Sequence, residues 1–247
     1  MLKKQVYVDR ASPVPVYYQL KEALKEQIES GVYKPHERLP SERELEEAYR
    51  ISRMTARRAL EELEAEGYIY RAQGRGSFVA EPKIRQGLLW LTSFTEDMKE
   101  RGMCAGARVL EVRVLKDEKV ARRLKVDPDE EFVKLQRLRT ADGEPMALEV
   151  SFLRRKLCPG LEKYNFNDRS LYKTLEEFGL HLGRAEQTVE AKVADDFEAE
   201  LLGVKPGTPL LSMERVTYLA DGQTPIEYVR SLYRGDRYKL FVELKRR

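Results

Sequence analysis

The sequence predicts an α+β protein with two domains, the first mainly helical and the second built on an antiparallel sheet. Within the first 80 residues, apolar side chains recur at helical spacing, and only residues 68–79 alternate like strands. From about residue 88, long alternating stretches are separated by short helical segments, which is typical of α+β domains. A polar stretch around Pro82 separates the two regions. We therefore expect a first domain at residues 1–80, a linker at 81–88 and a second domain at 89–247.

Three helices and a hairpin are expected in the first domain. The first helix covers about residues 16–30. The second begins at Ser41, because Ser41 and Glu44 have the S-x-x-E spacing of a capping box, and it ends near Tyr49. Ser52 is the candidate N-cap of the third helix, which stops before Gly67. Two helices joined by so short a turn predict a helix-turn-helix, and the alternating residues around the turn at 73–76 predict a β-hairpin wing.

Charge is unevenly distributed along the third predicted helix. The turn and the N-terminal half of this helix carry four arginines and no acid: Arg50, Arg53, Arg57 and Arg58. Guanidinium groups beside the free N–H groups of a helix start suit phosphates and guanine edges in the major groove of DNA. Arg75 in the wing turn could reach a neighbouring groove. This layout predicts a DNA-reading helix, and the alternative is a surface helix whose charges are only solvated.

These segments resemble the winged helix-turn-helix domain of the GntR superfamily of bacterial repressors. The resemblance covers residues 15–20, 39–45, 52–60 and 74–79. It implies that the arginine of the Pro-Ser-Glu-Arg segment, the start of the recognition helix and the wing glycine contact double-stranded operator DNA. The implied contacts in this sequence are Arg43, Ser52, Arg53, Thr55, Arg57 and Gly74, to which we add Arg75.

Seven strands and three helices are predicted along most of the second domain. The strands lie at about 107–115, 132–141, 146–153, 184–193, 210–219, 224–233 and 238–244, and the helices at about 117–125, 170–178 and 195–202. A pattern that begins at Leu124 recurs from Leu202 and places Arg137 and Arg215 at matching positions. We interpret this repeat as a duplicated half-sheet whose halves face a common cleft. Alternatively, the hairpins of one sheet only share their turn chemistry.

Paired polar residues on the predicted strands indicate an anion site. Arg137 and Arg139 lie two apart and project from one face of a strand, and Glu227 and Tyr233 share a face of another. Adjacent guanidinium groups repel each other unless an anion lies between them, and arginine binds phosphate bidentately. The hydroxyls of a segment that includes Ser93 and Thr95 begin a further helix, which ends near residue 101, and could also receive an oxyanion. These hydroxyls could instead only cap that helix, and the arginines could form a surface ladder with Glu149.

The resemblance extends over the second domain, which is similar to the UTRA effector domain of the HutC subfamily. It rests on residues 92–98, 137–145, 170–172 and 233–238. It implies a fold similar to chorismate lyase, a homodimer formed through the effector domain, and a ligand-responsive repressor. The effector would be a small anion such as a phosphorylated amino sugar, for example N-acetylglucosamine 6-phosphate. The implied effector contacts are Ser93, Thr95, Arg137, Arg139, Glu149, Ser170, Glu227 and Tyr233.

Composition restricts the remaining possibilities. The net charge of +3 is too small to indicate DNA binding by itself, so the local placement of arginines carries that prediction. The two cysteines fit no metal or disulfide framework, no cofactor is predicted, and the absence of an apolar span predicts a cytoplasmic protein with no membrane partner. The sequence contains no evident set of catalytic residues, which argues against an enzyme. Three alternatives remain: a lyase-like enzyme, a non-phosphorylated organic acid as effector, and a DNA-binding protein without effector control.

Overall fold

A computed structural model describes residue 3 and residues 8–246, and these form two compact units. The first unit contains the described residues up to Ile84 together with Gly235–Lys239, which we call the return segment. The second unit contains Arg85–Arg234 and the described residues from Leu240 onward. The first unit is mainly helical and the second is built on an antiparallel sheet, so the predicted α+β class is confirmed.

The first unit is a winged helix-turn-helix. Helices α1 (Val16–Glu29), α2 (Glu42–Tyr49) and α3 (Arg53–Ala65) precede a hairpin of β1 (Ile69–Ala72) and β2 (Gly76–Val79). Ser41 and Ser52 cap α2 and α3 as their spacing predicted, because each hydroxyl accepts the N–H group three residues later. The apolar faces of the three helices meet the hairpin in a core that includes Leu20, Leu24, Leu45, Leu60, Leu63 and Ile69.

The return segment packs at the C-terminal end of α3. A Cβ atom on Gly67 would lie 2.2 Å from the carbonyl oxygen of Asp236, and Gly67 has a φ of +76°, so only glycine fits there. The Ile84 N–H donates to the Arg237 carbonyl at 2.8 Å, and Lys83 Nζ donates to the Gly235 carbonyl at 2.7 Å. Two short strands that the sequence patterns did not pair, β3 (Ile84–Gly87) and β10 (Tyr238–Phe241), form a separate two-stranded sheet.

The second unit contains a six-stranded antiparallel sheet. The helices are α4 (Phe94–Glu100), α5 (Glu118–Leu124), α6 (Leu171–Glu177) and α7 (Asp196–Leu202), with a short 3-10 helix at Leu161–Lys163. The strands are β4 (Ala105–Lys116), β5 (Glu131–Ala141), β6 (Glu144–Arg154), β7 (Leu182–Val193), β8 (Pro209–Leu219) and β9 (Pro225–Arg234). Their order is β4-β5-β6-β9-β8-β7, so β6 and β9 are central.

The two faces of this sheet have different covers. On one face, Phe132 and Phe152 pack with α5, while Leu138 and Leu148 pack with α7. The residues of β5 that alternate with Phe132 and Leu138 point to the other face. There, α6 and the 3-10 helix cover a cluster that contains Leu135. Arg137 and Arg139 share the parity of Leu135, so both arginines lie on the second face.

The strand register agrees with the predicted internal repeat. Val150 on β6 pairs with Arg230 on β9, and these residues occupy equivalent positions in the two copies. On either side, Glu149 pairs with Ser231 and Ser151 pairs with Val229. Equivalent positions therefore exchange places across the β6–β9 pairing, as they do about a local two-fold axis.

Within the described part of the chain, no helix is long and apolar enough to cross a membrane. Residue 3 and residues 8–246 also contain no group of three or more His, Cys, Asp or Glu side chains that could hold a metal ion.

Candidate functional site

The start of α3 presents a pair of hydroxyls and free backbone donors. Ser52 Oγ accepts from the Thr55 N–H at 3.1 Å, and the two hydroxyl oxygens lie 2.8 Å apart. Arg50 precedes the helix in the left-handed region, with a φ of 51°. This tight turn separates α2 from α3 by only three residues. Ser52 and Thr55 are exposed or half-buried at the tip of the helix pair.

The predicted DNA-binding arginines form exposed ion pairs in the protein alone. Arg57 Nε lies 2.8 Å from Glu61 and Arg43 Nε lies 2.9 Å from Glu47, both at i,i+4 spacing. The side chains of Arg43 and Arg57 are 83% and 53% exposed. Exposed pairs of this kind contribute little to stability, because water screens them. They can therefore be exchanged for contacts with phosphate at little cost.

Glu42 is a member of this surface that the sequence patterns did not single out. Glu42 Oε2 lies 3.1 Å from Arg53 Nε, and its other oxygen lies 3.9 Å from Arg71 on β1. One carboxylate thus connects α2, α3 and the wing. A groove of about 420 Å³ is lined by Arg43, Arg53 and Gly74 together with Glu42. Of the predicted DNA-binding residues, these three share that groove, whereas Arg57 does not line it.

The wing turn depends on two glycines in the left-handed region. Gly74 and Gly76 have φ values of +70° and +109°. Arg75 between them extends along the hairpin, with its guanidinium carbon 5.8 Å from the centre of the Phe78 ring. A Cβ atom on Gly76 would lie 3.3 Å from Arg38 Nε, so the glycine lets Arg38 approach the wing. Arg75 is exposed on the wing, and Arg38 lies against the wing at Gly76.

The second unit brings predicted effector contacts together on the α6 face of its sheet. Reading across the strands, one row contains Arg137, Glu149, Ser231 and Met213, and the next contains Leu135, Ser151, Val229 and Arg215. Arg139 and Tyr233 lie on the row before them, and Glu227 lies on the row after them. Directly paired residues of an antiparallel sheet project from the same face. The polar rows consequently form one continuous floor.

Arg137, Arg139 and Glu149 form a buried charge cluster at one end of this floor. Arg137 Nη2 donates to Glu149 Oε1, and Arg139 Nη1 lies 3.7 Å from the same oxygen. The three residues are only 2%, 4% and 8% exposed. The two arginines do pair with Glu149, as the surface-ladder alternative required. The pairs are buried, however, so they do not form a ladder on the surface.

Burial and charge act in opposite directions on the Glu149 carboxyl. Burial favours its neutral form, but Arg137 and Arg139 outweigh this effect and hold the pKa of Glu149 below its usual value. At Tyr233, the charges of Arg215 and Arg139 oppose the effect of burial only in part. Burial, with the nearby Glu149 charge, raises the pKa of Tyr233 to about 12. Near neutral pH this end of the site therefore contains charged arginines, a carboxylate and a neutral phenol.

The predicted hydroxyls border the same charge cluster. Thr95 Oγ1 accepts from Arg139 Nη2 at 3.1 Å, and the Arg139 guanidinium lies 4.6 Å from the centre of the Phe94 ring. Ser93 caps α4 in a capping box, so the capping role considered for it is present. Ser170 caps α6 and is 8% exposed. These caps place two helix starts beside the paired arginines.

Arg215 and Tyr172 are site residues that the sequence analysis did not include. Arg215 Nη2 donates to the Tyr172 hydroxyl at 2.8 Å, and that hydroxyl donates to Glu227 Oε2 at 3.1 Å. Thr217 Oγ1 donates to the same oxygen at 3.1 Å. The repeat was the available signal, because it matched Arg215 with Arg137. Tyr172 follows Ser170 by two residues, but its partners lie on distant strands.

Two adjoining cavities open over this floor. A small one, of about 20 Å³, is lined by all the predicted effector residues except Tyr233. A larger one, of about 390 Å³, is lined by Tyr233, Ser231 and Met213, and it shares Glu149 and Arg215 with the first. Three guanidinium groups face two carboxylates around the small cavity. Buried donors at Arg137 Nε and Nη1 and at Arg215 Nε have no acceptor among the described residues.

Comparisons with known proteins agree with this architecture. Residues 16–79 match the family described as bacterial regulatory proteins, gntR family, and residues 100–239 match the UTRA domain. The chain is 43% identical over 233 residues to the HTH-type transcriptional repressor NagR of Bacillus subtilis, covering 94% of this chain and 95% of that one. It is 33% identical over 232 residues to the histidine utilization repressor of Pseudomonas putida, covering 92% and 91%. The crystal structure of PhnF from Mycobacterium smegmatis matches with a TM-score of 0.65 and 34% identity, covering 92% of this chain and 99% of that one.

Proposed function

Since this chain belongs to the gntR family of bacterial regulatory proteins and carries a UTRA domain, we propose that its operator affinity is controlled by a phosphorylated amino sugar. The protein is a transcriptional repressor that binds operator DNA and a small-molecule effector. The matched families and relatives are regulators and not enzymes, so the lyase-like alternative is set aside. The identity of the effector, the dimer and the individual contacts belong to the proposal.

One observation carries the proposed effector class. The small cavity places Arg137, Arg139 and Arg215 against only two carboxylates, and buried donors of Arg137 have no acceptor among the described residues. A buried donor without a partner costs about 1–3 kcal/mol, and an anion would remove this cost. Arginine forks bind phosphate bidentately. A phosphate group therefore suits this end of the site.

The amino-sugar part of the proposal rests on similarity and on the second cavity. The chain is 43% identical to the transcriptional repressor NagR, and its effector motifs resemble those of amino-sugar-responsive members of the HutC subfamily. The larger cavity offers Glu149, Ser231 and Tyr233 beyond the arginines, so hydroxyl groups of a sugar would find both donors and acceptors there. N-acetylglucosamine 6-phosphate fits this combination. A small organic acid would use the arginines without these additional groups.

The proposed DNA contacts are Arg43, Ser52, Arg53, Thr55, Arg57, Gly74 and Arg75. Their support is the exposed start of α3 and the groove between α2, α3 and the wing. A homodimer would present two such surfaces to a two-fold symmetric operator. Effector binding would then act through a difference in affinity between two arrangements of the protein. About 2–3 kcal/mol of coupling changes operator affinity roughly 30- to 150-fold.

A titration of the full-length protein tests this proposal. A labelled DNA fragment from around its own gene is titrated with protein, and anisotropy is recorded with and without N-acetylglucosamine 6-phosphate, N-acetylglucosamine, inorganic phosphate or a small organic acid. We expect operator affinity to fall with the phosphosugar only. A response to the organic acid alone would identify the alternative effector, and no response to any ligand would overturn the proposal.

A pair of variants assigns the response to the site. Arg137→Met should abolish the effector response and retain DNA binding. Arg108→Met is the matched control, because Arg108 is exposed on the neighbouring strand β4 and pairs with Leu138, on the opposite face of the sheet. A normal response in Arg137→Met would remove Arg137 from the effector site.

A further inference from the structure

The local two-fold relation makes Arg215 the structural counterpart of Arg137. The same axis exchanges Arg137 on β5 with Arg215 on β8, the two strands that flank the central β6–β9 pair. The two residues differ in their cross-strand partners. Arg137 pairs with Glu149, whereas Arg215 pairs with Val229. The second arginine consequently has no carboxylate opposite it on the neighbouring strand.

The hydrogen bonds of Arg215 occupy only part of its guanidinium group. Nη2 donates to the Tyr172 hydroxyl, and this hydroxyl donates to the Glu227 carboxylate. Glu227 in turn accepts from two hydroxyls, those of Tyr172 and Thr217. Nε of Arg215 is a buried donor with no acceptor among the described residues. The hydrogen bond of Nη2 therefore fixes the position of the guanidinium group, while its Nε donor is available to a ligand.

Arg215 also lies where the two cavities meet. It lines both the small cavity beside Arg137 and the larger cavity of about 390 Å³. Three strand spacings separate β5 from β8, which is roughly 14 Å between their backbones. Two long arginine side chains that converge across this span can contact opposite ends of one sugar-sized molecule. The apolar side chains of Met213 and Val229 lie beside Arg215 in the larger cavity.

We propose that Arg215 is a specificity-determining residue, whose Nε donates to an sp² oxygen on the side of the effector away from its phosphate. Such an oxygen belongs to an acyl carbonyl or to a carboxylate. Either one accepts strongly from a charged donor, and neither brings a hydrogen that would need an acceptor of its own. This inference rests on the proposed function, because it assumes that the phosphate is bound at Arg137.

Three phosphates separate the possible sources of that oxygen. N-acetylglucosamine 6-phosphate carries an acyl carbonyl, 6-phosphogluconate carries a carboxylate, and glucose 6-phosphate carries neither. Calorimetric titration of the full-length protein should show that at least one of the first two binds about 10- to 100-fold more tightly than glucose 6-phosphate, as expected for one charged hydrogen bond. Whichever ligand is preferred identifies the group that Arg215 binds.

Substitution then tests Arg215 itself. Arg215→Met should reduce the preference to less than about 3-fold while the affinity for glucose 6-phosphate changes little, and Arg215→Lys should restore part of it. Arg230→Met is the control, because Arg230 is exposed on β9 and pairs with Glu214 and Val150 on the opposite face. If Arg215→Met does not fold, the ligand preferences of Arg215→Lys and of the wild type still test the role of Arg215.

The outcomes separate this inference from the proposed function. Wild-type protein that binds none of the three phosphates would overturn the proposed function and this inference with it. Wild-type protein that binds all three equally, or an Arg215→Met variant that keeps the preference, would overturn only the role of Arg215.

Discussion

Replacing Arg137 by methionine tests how the charges of Arg137, Arg139 and Glu149 in the candidate effector site are balanced. The substitution removes the closest partner of Glu149, a carboxyl that is 8% exposed. Breaking a buried ion pair by removing one partner costs about 3–5 kcal/mol. Arg139 Nη1 remains 3.7 Å from Glu149 and retains part of the compensation. We therefore expect a loss of about 3 kcal/mol, at the lower end of that range.

The sign of the pH dependence follows from the pKa of Glu149. In the wild type, the arginines hold this pKa below its usual value, so the stabilisation is present above about pH 4.3 and is lost as the pH falls. Without Arg137, burial dominates and the pKa rises. Protonation then relieves the unpaired charge. The penalty of Arg137→Met should consequently be largest near pH 7 and shrink towards pH 4.3.

Hydrogen exchange in peptides of β5 and β6 measures this local stability in the full-length protein. The chain has two units, so a single global unfolding curve would mix their transitions. Adding Glu149→Gln to Arg137→Met should recover part of the stability, because no unpaired buried charge remains. The reasoning would be refuted if Arg137→Met had the same hydrogen-exchange protection as wild type at pH 7. It would also be refuted if the destabilisation caused by Arg137→Met grew as the pH falls.

Three further predictions concern the first unit. Gly67→Ala should destabilise this unit by more than Gly74→Ala. Alanine in the left-handed conformation costs about 1–2 kcal/mol at both positions, but only at Gly67 would its Cβ also lie 2.2 Å from a backbone atom. Equal melting temperatures of the two variants would contradict this prediction. Arg53→Ala should weaken operator binding by about 1–3 kcal/mol in an anisotropy titration and leave the melting temperature unchanged, and unaltered affinity would remove Arg53 from the interface. The Ser41 N–H and hydroxyl lower the pKa of Glu44 to about 2, so the capping box stabilises α2 above about pH 4.5 and weakens as the pH falls towards 2. Ser41→Ala removes the hydroxyl and should reduce this acid sensitivity in far-UV circular dichroism, and an unchanged pH profile would exclude the Ser41 hydroxyl as its origin.

Local chemistry made much of the fold predictable. The caps at Ser41 and Ser52 and the alternation along β5 depend on residues at most a few positions apart, so the sequence contains them directly. The shared face of Arg137 and Arg139 follows from strand geometry alone. This is why the paired arginines of the candidate site could be predicted before the neighbouring strands were known.

Contacts between distant segments were not predictable in the same way. The bond from Arg215 to Tyr172 joins β8 to the start of α6, and the ion pair of Arg53 with Glu42 joins two helices. The return segment reaches Gly67 from far along the chain. No spacing rule connects such residues, because their proximity depends on strand order and on helix packing. The internal repeat was the exception, since it related Arg215 to Arg137 without requiring the fold.

An arginine–glutamate ion pair is exposed in the candidate DNA-binding surface and buried in the candidate effector site, and its expected role differs accordingly. On α3, the pair of Arg57 with Glu61 is exposed and screened by water, so we expect DNA phosphates to replace this carboxylate easily. In the second unit, Arg137 and Glu149 are enclosed, and separating them costs about 3–5 kcal/mol. We therefore expect the proposed effector to leave Glu149 in place and to bind the donors that this carboxylate leaves unoccupied.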